Sequence, residues 1–258
     1  MREVAVVIPS HNGSQQLSAL FPKLCSILAD LGESEVVVVD DGSTPVEAAR
    51  LRELADRNSG VRLARLQERC GQIHATLLGV SIANGEIIVT MDDDGSHPSE
   101  VIPRMVELLR GDGELQLVYA APRELSVRGK SRRPLVRRLG TALNNHLFHR
   151  FLGLPPDIPV GSFRAIRRQL VDRALSRPVR YPYLSAMLLS FDPKVAALRY
   201  LPSPRKERPG NSRYRFYRLL SVWLSLLLFW GPLEPVGRLL RRPRRIGTGN
   251  LCSGRGQP

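Results

Sequence analysis

Two runs of β-branched residues, each ending in a cluster of acids, limit what this chain can become. Val36-Val37-Val38-Val39 leads into Asp40-Asp41-Gly42-Ser43, and Ile87-Ile88-Val89-Thr90-Met91 leads into Asp92-Asp93-Asp94. Unbroken apolar runs of this kind suit strands buried on both faces, which is the situation in a parallel sheet covered by helices. Further strands are expected at 4–8, 61–66 and 115–120, with helical patterns between them. That alternation is the signature of βαβ units. Thr44-Pro45-Val46-Glu47 reads as a capping box with Pro at the first helical position. A second helix, over 72–83, is expected to stop at Asn84-Gly85.

In an open parallel sheet ligands bind beyond the carboxyl ends of the strands, so both acid clusters are expected to face one crevice. Residues two apart on an extended chain point the same way, which lets Asp92 and Asp94 share a cation while Asp93 points elsewhere. Hard carboxylate oxygens in this number suit Mg²⁺ or Mn²⁺, with substrate phosphates completing the shell.

These residues resemble glycosyltransferase family 2. Val7-Ile8-Pro9-Ser10-His11-Asn12, Val38-Val39-Asp40-Asp41-Gly42-Ser43 and Met91-Asp92-Asp93-Asp94 are similar to its three opening motifs. Gly71-Gln72, Ala75, Gly79, Ala83, Gly85, His97-Pro98 and Glu100 continue the likeness. Pro159 to Arg164, Tyr181-Pro182-Tyr183 and Gly210 to Tyr214 are similar to the polyprenyl-phosphate branch, which includes the dolichol- and undecaprenyl-phosphate enzymes. The resemblance implies a GT-A fold, an α/β architecture with a Rossmann-like, mainly parallel sheet flanked by helices. It also implies inverting transfer from a nucleoside-diphosphate sugar to a polyprenyl phosphate. Pro9, Asn12, Asp41, Gly71, Gln72 and Asp92 would then bind the nucleotide-sugar. Asp92, Asp94 and Ser96 would approach the metal, and Arg164 would face a phosphate. Three positions depart from the pattern: Gly13 where an acid usually follows Asn, Ser96 where Gln is common, and Ser162 where Asp usually precedes Phe-Arg.

The formal charge of +14 is segregated. Residues 1–122 carry 10 Lys and Arg against 18 Asp and Glu, net −8, whereas residues 123–258 carry 28 against 6, net +22. Such asymmetry calls for an anionic partner, a membrane surface or a nucleic acid. Arg128, Arg133, Arg164, Arg205 and Arg213 are the candidates for holding an acceptor phosphate, through charge-assisted hydrogen bonds. An apolar run of fifteen residues, 219–233, is shorter than the roughly 20 needed to span a bilayer. Its Trp223, Leu226, Leu227 and Trp230 share one helical face between arginine-rich flanks, which suits an interfacial helix or a helix packed on the main domain. The chain is therefore divided into a GT-A domain (1–200), a basic amphipathic segment that meets the membrane (201–245) and a disordered Gly-rich tail (246–258). Three cysteines without C-x-x-C spacing suggest neither a disulfide framework nor a zinc site. With no signal-peptide pattern at the start, the expected location is the cytoplasmic face of the plasma membrane.

Other classes fit less of the chain. Asp92-Asp93-Asp94-Gly95-Ser96 is similar to the haloacid-dehalogenase motif, whose chemistry needs a further acidic pair that the second half lacks. A dinucleotide site would need G-x-G-x-x-G after the first strand. A nucleic-acid module accounts for Tyr214, Phe216 and Tyr217 among arginines but not for an acid-lined crevice, so no nucleic-acid partner is expected. The alternative functions are a catalytically impaired homologue within the family and a protein that binds nucleic acid or another anionic surface.

Overall fold

The computed structural model describes residues 2–123, 149–150, 152–155, 157–177, 179, 181–201, 224–225 and 227–230. Arg128, Arg133, Arg205, Arg213, Trp223, the basic flanks of the 219–233 run and the 246–258 tail lie outside them.

Seven strands form one sheet in the order β3-β2-β1-β4-β6-β5-β7. β1 (Arg2–Ser10) pairs in parallel with β2 (Ser34–Asp40) and β4 (Gly85–Thr90), and β2 pairs in parallel with β3 (Val61–Arg65). β5 (Leu115–Pro122) and β7 (Lys194–Tyr200) are parallel to each other. The single reversed strand is β6 (Arg164–Arg167), antiparallel to both β4 and β5. All strands except β6 therefore end at the same edge of the sheet. The five expected strands all form, and β6 and β7 are additions.

Both faces of the sheet are covered. Along β1, Val4, Val6 and Ile8 face one apolar core with Leu17, Phe21, Leu24 and Leu28 of α1 (Ser14–Ala29) and Met105, Val106 and Leu109 of α4 (Ile102–Gly111). Ala5 and Val7 face the other, with Ala75, Leu77, Leu78 and Val80 of α3 (Gln72–Ile82). α5 (Arg168–Ser176) and α6 (Leu184–Leu189) extend that second layer. This two-sided burial explains why β1, β2 and β4 read as continuous apolar runs instead of alternating ones.

Two local expectations resolve differently. Thr44 does cap α2 (Pro45–Asp56), accepting from the Glu47 amide at 3.4 Å. The Glu47 carboxylate, however, turns away from the cap to accept from the Ser14 hydroxyl at 2.7 Å and from Arg50 at 2.7 Å. Those donors, the Ser14 hydroxyl first, hold its carboxyl below the usual carboxylate range. Asn12 fills the gap, its side-chain oxygen taking the Thr44 amide at 3.0 Å. Gly85, expected as a helix stop, begins β4 beside Ala5, where an added Cβ would overlap the Ala5 amide nitrogen. It is needed for close approach of two strands, not for a left-handed turn.

Near the chain's end, Leu227 and Trp230 pack against the α3-side core, and the Trp230 indole N–H donates to the Tyr181 carbonyl at 2.8 Å. Of the two arrangements open for this run, its described residues adopt packing on the main domain, with Leu224 left exposed. Among the described residues no helix is long and apolar enough to cross a membrane.

Overpacking against a strand backbone costs ~1–3 kcal/mol. Urea unfolding of Gly85→Ala is expected to show a loss of that size. Gly111→Ala, at a helical site where the added methyl meets nothing within 4 Å, is expected to leave stability unchanged or raise it by up to ~1 kcal/mol. Equal stability of the two variants would contradict the close β1/β4 approach.

Candidate active site

The chain leaves β1 towards β2 on one side and later returns to β4 on the other, so the crevice opens beyond the ends of β1 and β4. This is the switch point at which open α/β sheets bind ligands. The ends of β2 and β4 stand two strand spacings apart, about 10 Å, with Ser10 of β1 between them. The two clusters take different parts.

At the end of β2 the acids are consumed by the protein itself. Asp40 is fully buried, accepts from the Ser43 amide at 2.9 Å and faces Arg65 Nε at 3.3 Å. The second contact is an ion pair without hydrogen-bond geometry, which leaves Asp40 Oδ2 without a hydrogen-bond donor among the described residues. Asp41 accepts the amides of Cys70 at 2.7 Å and Gly71 at 2.9 Å. Asp41, expected at the nucleotide, thereby ties down the start of α3. The Gly71 backbone sits at φ +91°, a left-handed conformation that glycine adopts without penalty.

The next residue, Gln72, carries that anchoring to the end of β4. Its side-chain amide donates to Asp92 Oδ1 at 2.6 Å. The Ser162 hydroxyl donates to Asp92 Oδ2 at 3.0 Å. The Asp92 amide donates to His97 Nδ1 at 3.0 Å, so the neutral ring carries its proton on Nε2, 3.9 Å from Asp92 Oδ2. Stacking on Phe163, with ring centroids 4.8 Å apart, holds the imidazole in place. Asp92 is thus oriented from three directions and still 27% exposed. Each carboxylate oxygen retains acceptor capacity beyond these bonds.

Asp94 is exposed and accepts the Ser96 amide at 2.9 Å. Ser96 therefore shapes the turn that presents Asp94. Asp93 turns towards β1, where its Oδ2 accepts from the Ser10 hydroxyl at 2.6 Å. A Cβ on Gly13 would overlap both that carboxylate oxygen and Ser10 Oγ. The absence of an acid at position 13 now has a physical reason, since the Asp93 carboxylate occupies the space a side chain there would need. On the same rim Asn12 adopts φ +54°, with its amide donating to Ser43 Oγ at 2.9 Å, and His11 Nδ1–H donates to the Asp41 carbonyl at 2.9 Å. Pro9 is buried in β1, in register with Val39.

Arg164 does not reach the rim. Only 5% exposed, it donates from Nε to Thr90 Oγ1 at 3.2 Å and from a terminal nitrogen to Ser185. Set opposite Thr90 on the neighbouring strand, its guanidinium lies inside the protein on Thr90 and Ser185. The parts that sequence reasoning missed are the Ser162 hydroxyl, the Asp93 to Ser10 contact and the hold of His97 on Asp92. Ser10, Asp93 and His97 carried a signal as members of the resembling motifs and Ser162 as a departure from them, but nothing local announced the contacts between them.

The donor set fits a hard divalent cation. Among the described residues no three His, Cys, Asp or Glu side chains converge. Asp92 and Asp94 at one strand end suit an ion that takes one or two carboxylates and completes its shell with water and phosphate oxygens.

Comparison with known proteins agrees with this arrangement. The family model for glycosyl transferase family 2 matches residues 5–175. The undecaprenyl-phosphate 4-deoxy-4-formamido-L-arabinose transferase of Klebsiella pneumoniae (strain 342) is 28% identical over 229 residues, covering 88% of this chain and 67% of that protein. The enzyme of that name from Pectobacterium atrosepticum matches to the same extent. Among solved structures, glucosyl-3-phosphoglycerate synthase from Mycobacterium tuberculosis, in complex with Mn²⁺, UDP and glucosyl-3-phosphoglycerate, superimposes with a TM-score of 0.61 at 19% identity, covering 88% of this chain and 79% of that one. A mycobacterial protein gives 0.64 at 20% identity, covering 88% and 74%. At those identities the structural likeness speaks to the fold, which is GT-A. With two thirds of its length inside the family model, and with the strand-end acids that the motifs announce, the chain belongs to glycosyl transferase family 2 and is a glycosyltransferase.

Proposed function

We propose that this glycosyltransferase moves a sugar from a nucleoside-diphosphate sugar to a polyprenyl phosphate, with inversion at the anomeric carbon. The observation that carries the acceptor assignment is the role of Ser162. Transfer to a sugar hydroxyl calls for a general base within hydrogen-bond reach of the acceptor. Here the residue beside Asp92 is a hydroxyl already committed as a donor. Other described acids beyond Pro122 stand elsewhere. Asp172 faces Arg168, whose Nε donates to the Gly85 carbonyl at the start of β4, and Asp192 precedes the start of β7 at that same far edge. Asp157 takes Arg199 of β7 on its carbonyl, and β7 lies three strand spacings, roughly 14 Å, from β4. A phosphate monoester needs no base, because with a second pKa near ~6 it is mostly dianionic at neutral pH. The curated relatives named as undecaprenyl-phosphate transferases support the same reading.

In this mechanism an acceptor phosphate oxygen attacks the anomeric carbon, and the bond from that carbon to the donor's diphosphate breaks with its electron pair staying on the diphosphate. Asp92 and Asp94 would hold Mg²⁺ or Mn²⁺ against the diphosphate, as the Mn²⁺ and UDP complexes of the structural neighbours support. Bound there, the cation would supply Lewis-acid stabilisation of the leaving group's charge. Gln72 and Ser162 keep Asp92 in register for that contact. Pro9, Asn12 and Gly71 line the nucleotide side, and Arg128, Arg133, Arg205 and Arg213 are proposed for the acceptor phosphate.

The reaction is placed at the cytoplasmic membrane face, with 1–200 as the catalytic domain and 201–245 as the membrane-associating segment, whose basic residues would meet lipid while Leu227 and Trp230 tether it to the domain. The +22 of residues 123–258 supports this placement. So does Leu201, 69% exposed just after β7, at the edge of the sheet where Asp92 sits.

Three measurements test these statements. Asp92→Asn and Asp94→Asn are each expected to lower kcat by at least ~10²-fold with unchanged thermal melting, whereas wild-type turnover, or full activity in excess EDTA, would remove the metal role. Acceptor competition should show transfer to undecaprenyl phosphate in preference to 3-phosphoglycerate, the acceptor class that the structural neighbours suggest; the reverse preference would overturn the lipid assignment. Sedimentation with anionic vesicles should show binding that weakens as salt rises, since each basic residue near such a surface contributes about 1 kcal/mol. Salt-independent binding, or none, would contradict the membrane placement.

A further inference from the structure

Arg164 is a charge buried inside the protein with no carboxylate paired to it among the described residues. Its neighbours do not neutralise it. Burial pushes the Tyr183 phenol up to about 12, so this nearby group stays uncharged at neutral pH. Tyr119, in register with Arg164 across β5 and β6, is fully buried, and its hydroxyl has no hydrogen-bond partner among the described residues. Removing a guanidinium from water costs several kcal/mol, and an apolar side chain of similar volume would avoid that cost.

What Arg164 does hold leads to the active site in three steps. Its Nε donates to Thr90 Oγ1 at 3.2 Å. With that oxygen occupied as an acceptor, the Thr90 hydroxyl proton goes to the Ser162 carbonyl at 2.6 Å. Ser162, its backbone held in this way, donates its own hydroxyl to Asp92 Oδ2 at 3.0 Å. The strand pairing enforces the order. Thr90 and Arg164 are directly opposed on β4 and β6, Ser162 lies two residues before Arg164, and Asp92 lies two residues after Thr90. Each hydroxyl has one proton and one direction in which to give it, so the series runs one way, from the buried cation to the carboxylate.

We propose that Arg164 and Thr90 are positioning residues that act through Ser162 to set the orientation of the Asp92 carboxylate towards the donor's diphosphate-bound cation. The proposal rests on the reading that Asp92 holds that cation. It reassigns Arg164 from phosphate contact to support of the metal site, and it gives Thr90, which no motif singles out, a part in donor binding. Outer partners of this kind typically change metal affinity by ~10–100-fold when removed.

The test is Mn²⁺ affinity, read by electron paramagnetic resonance of free Mn²⁺ in the presence of UDP, GDP or CDP, for the full-length wild type, Thr90→Val, Ser162→Ala, the double variant and Arg164→Met. Thermal melting of each variant separates loss of the site from loss of the fold. Thr90→Val keeps the side chain's shape and Ser162→Ala removes a single hydroxyl, so these two carry the test even where Arg164→Met fails to fold. The expected result is a loss of ~10-fold or more in Mn²⁺ affinity for each single variant. The double variant should be no worse than the weaker single one, because both interrupt the same series of bonds. Wild-type Mn²⁺ affinity in Thr90→Val, or losses that multiply in the double variant, would overturn the proposal. So would an Arg164→Met protein that binds Mn²⁺ normally while its KM for lipid phosphate rises. If the wild type itself retains no Mn²⁺ with any of the three nucleotides, the reading of Asp92 as a cation ligand fails as well, an outcome distinct from unaffected variants.

Discussion

The Asp92 carboxylate is gripped at both oxygens by donors from different parts of the chain, and most of the fold contributes to that grip. One hand is Gln72, the first residue of α3, held where it is because Asp41 at the end of β2 accepts the amides of Cys70 and Gly71. The other is Ser162, held because β6 runs antiparallel to β4 and brings Arg164 opposite Thr90. Asp92 itself follows β4, which is paired to β1 along a two-sided core. A carboxylate in water rotates freely. One hydrogen-bonded at both oxygens is preorganised, and preorganisation is what makes an electrostatic contact effective when charge develops on a leaving group.

This arrangement separates the work of the two acid clusters, which look alike in sequence. Asp40 and Asp41 bind donors from within the protein and are almost wholly buried, so their energy goes into shaping the crevice. Asp92 and Asp94 retain exposure and acceptor capacity. Asp93 belongs to neither group, since its bond to Ser10 stitches the β4 turn to the end of β1 above Gly13. Three consecutive aspartates thus divide between two tasks, because the chain turns at residues 93–94, just past the end of β4, with the Asp93 side chain directed to Ser10 and Asp94 left exposed.

The parallel half of the sheet was legible because burial on both faces forces apolar, β-branched runs that announce themselves locally. β6 was not, since Arg-Ala-Ile-Arg is four residues long and its flanking arginines suggest solvent. β7 was hidden by two alanines in Lys-Val-Ala-Ala-Leu-Arg-Tyr, residues with little strand preference. At the site, residue types pointed to cation and diphosphate chemistry, but partners far apart in sequence decided the roles. The Thr44 cap was readable from its four residues; that Glu47 would leave it for Ser14, 33 positions away, was not. Arg164 was expected to face a phosphate because of the family resemblance, and its burial and its bonds to Thr90 and Ser185, brought together by the β4/β6 pairing, place it inside the protein. Long-range pairing of this kind leaves no periodic trace.

The central claim is that the cation and the donor's diphosphate meet at the end of β4, on a carboxylate held from both sides. Anomalous diffraction at the manganese edge, from crystals grown with Mn²⁺ and the nucleoside diphosphate that the protein binds most tightly, tests it most directly. The account predicts one strong peak within coordination distance, about 2.0–2.2 Å, of an oxygen of Asp92 or Asp94 and of a diphosphate oxygen, with the Gln72 and Ser162 bonds to Asp92 retained. A nucleotide bound in the crevice with no manganese peak near either aspartate, or a peak at Asp40 or Asp41, would contradict it.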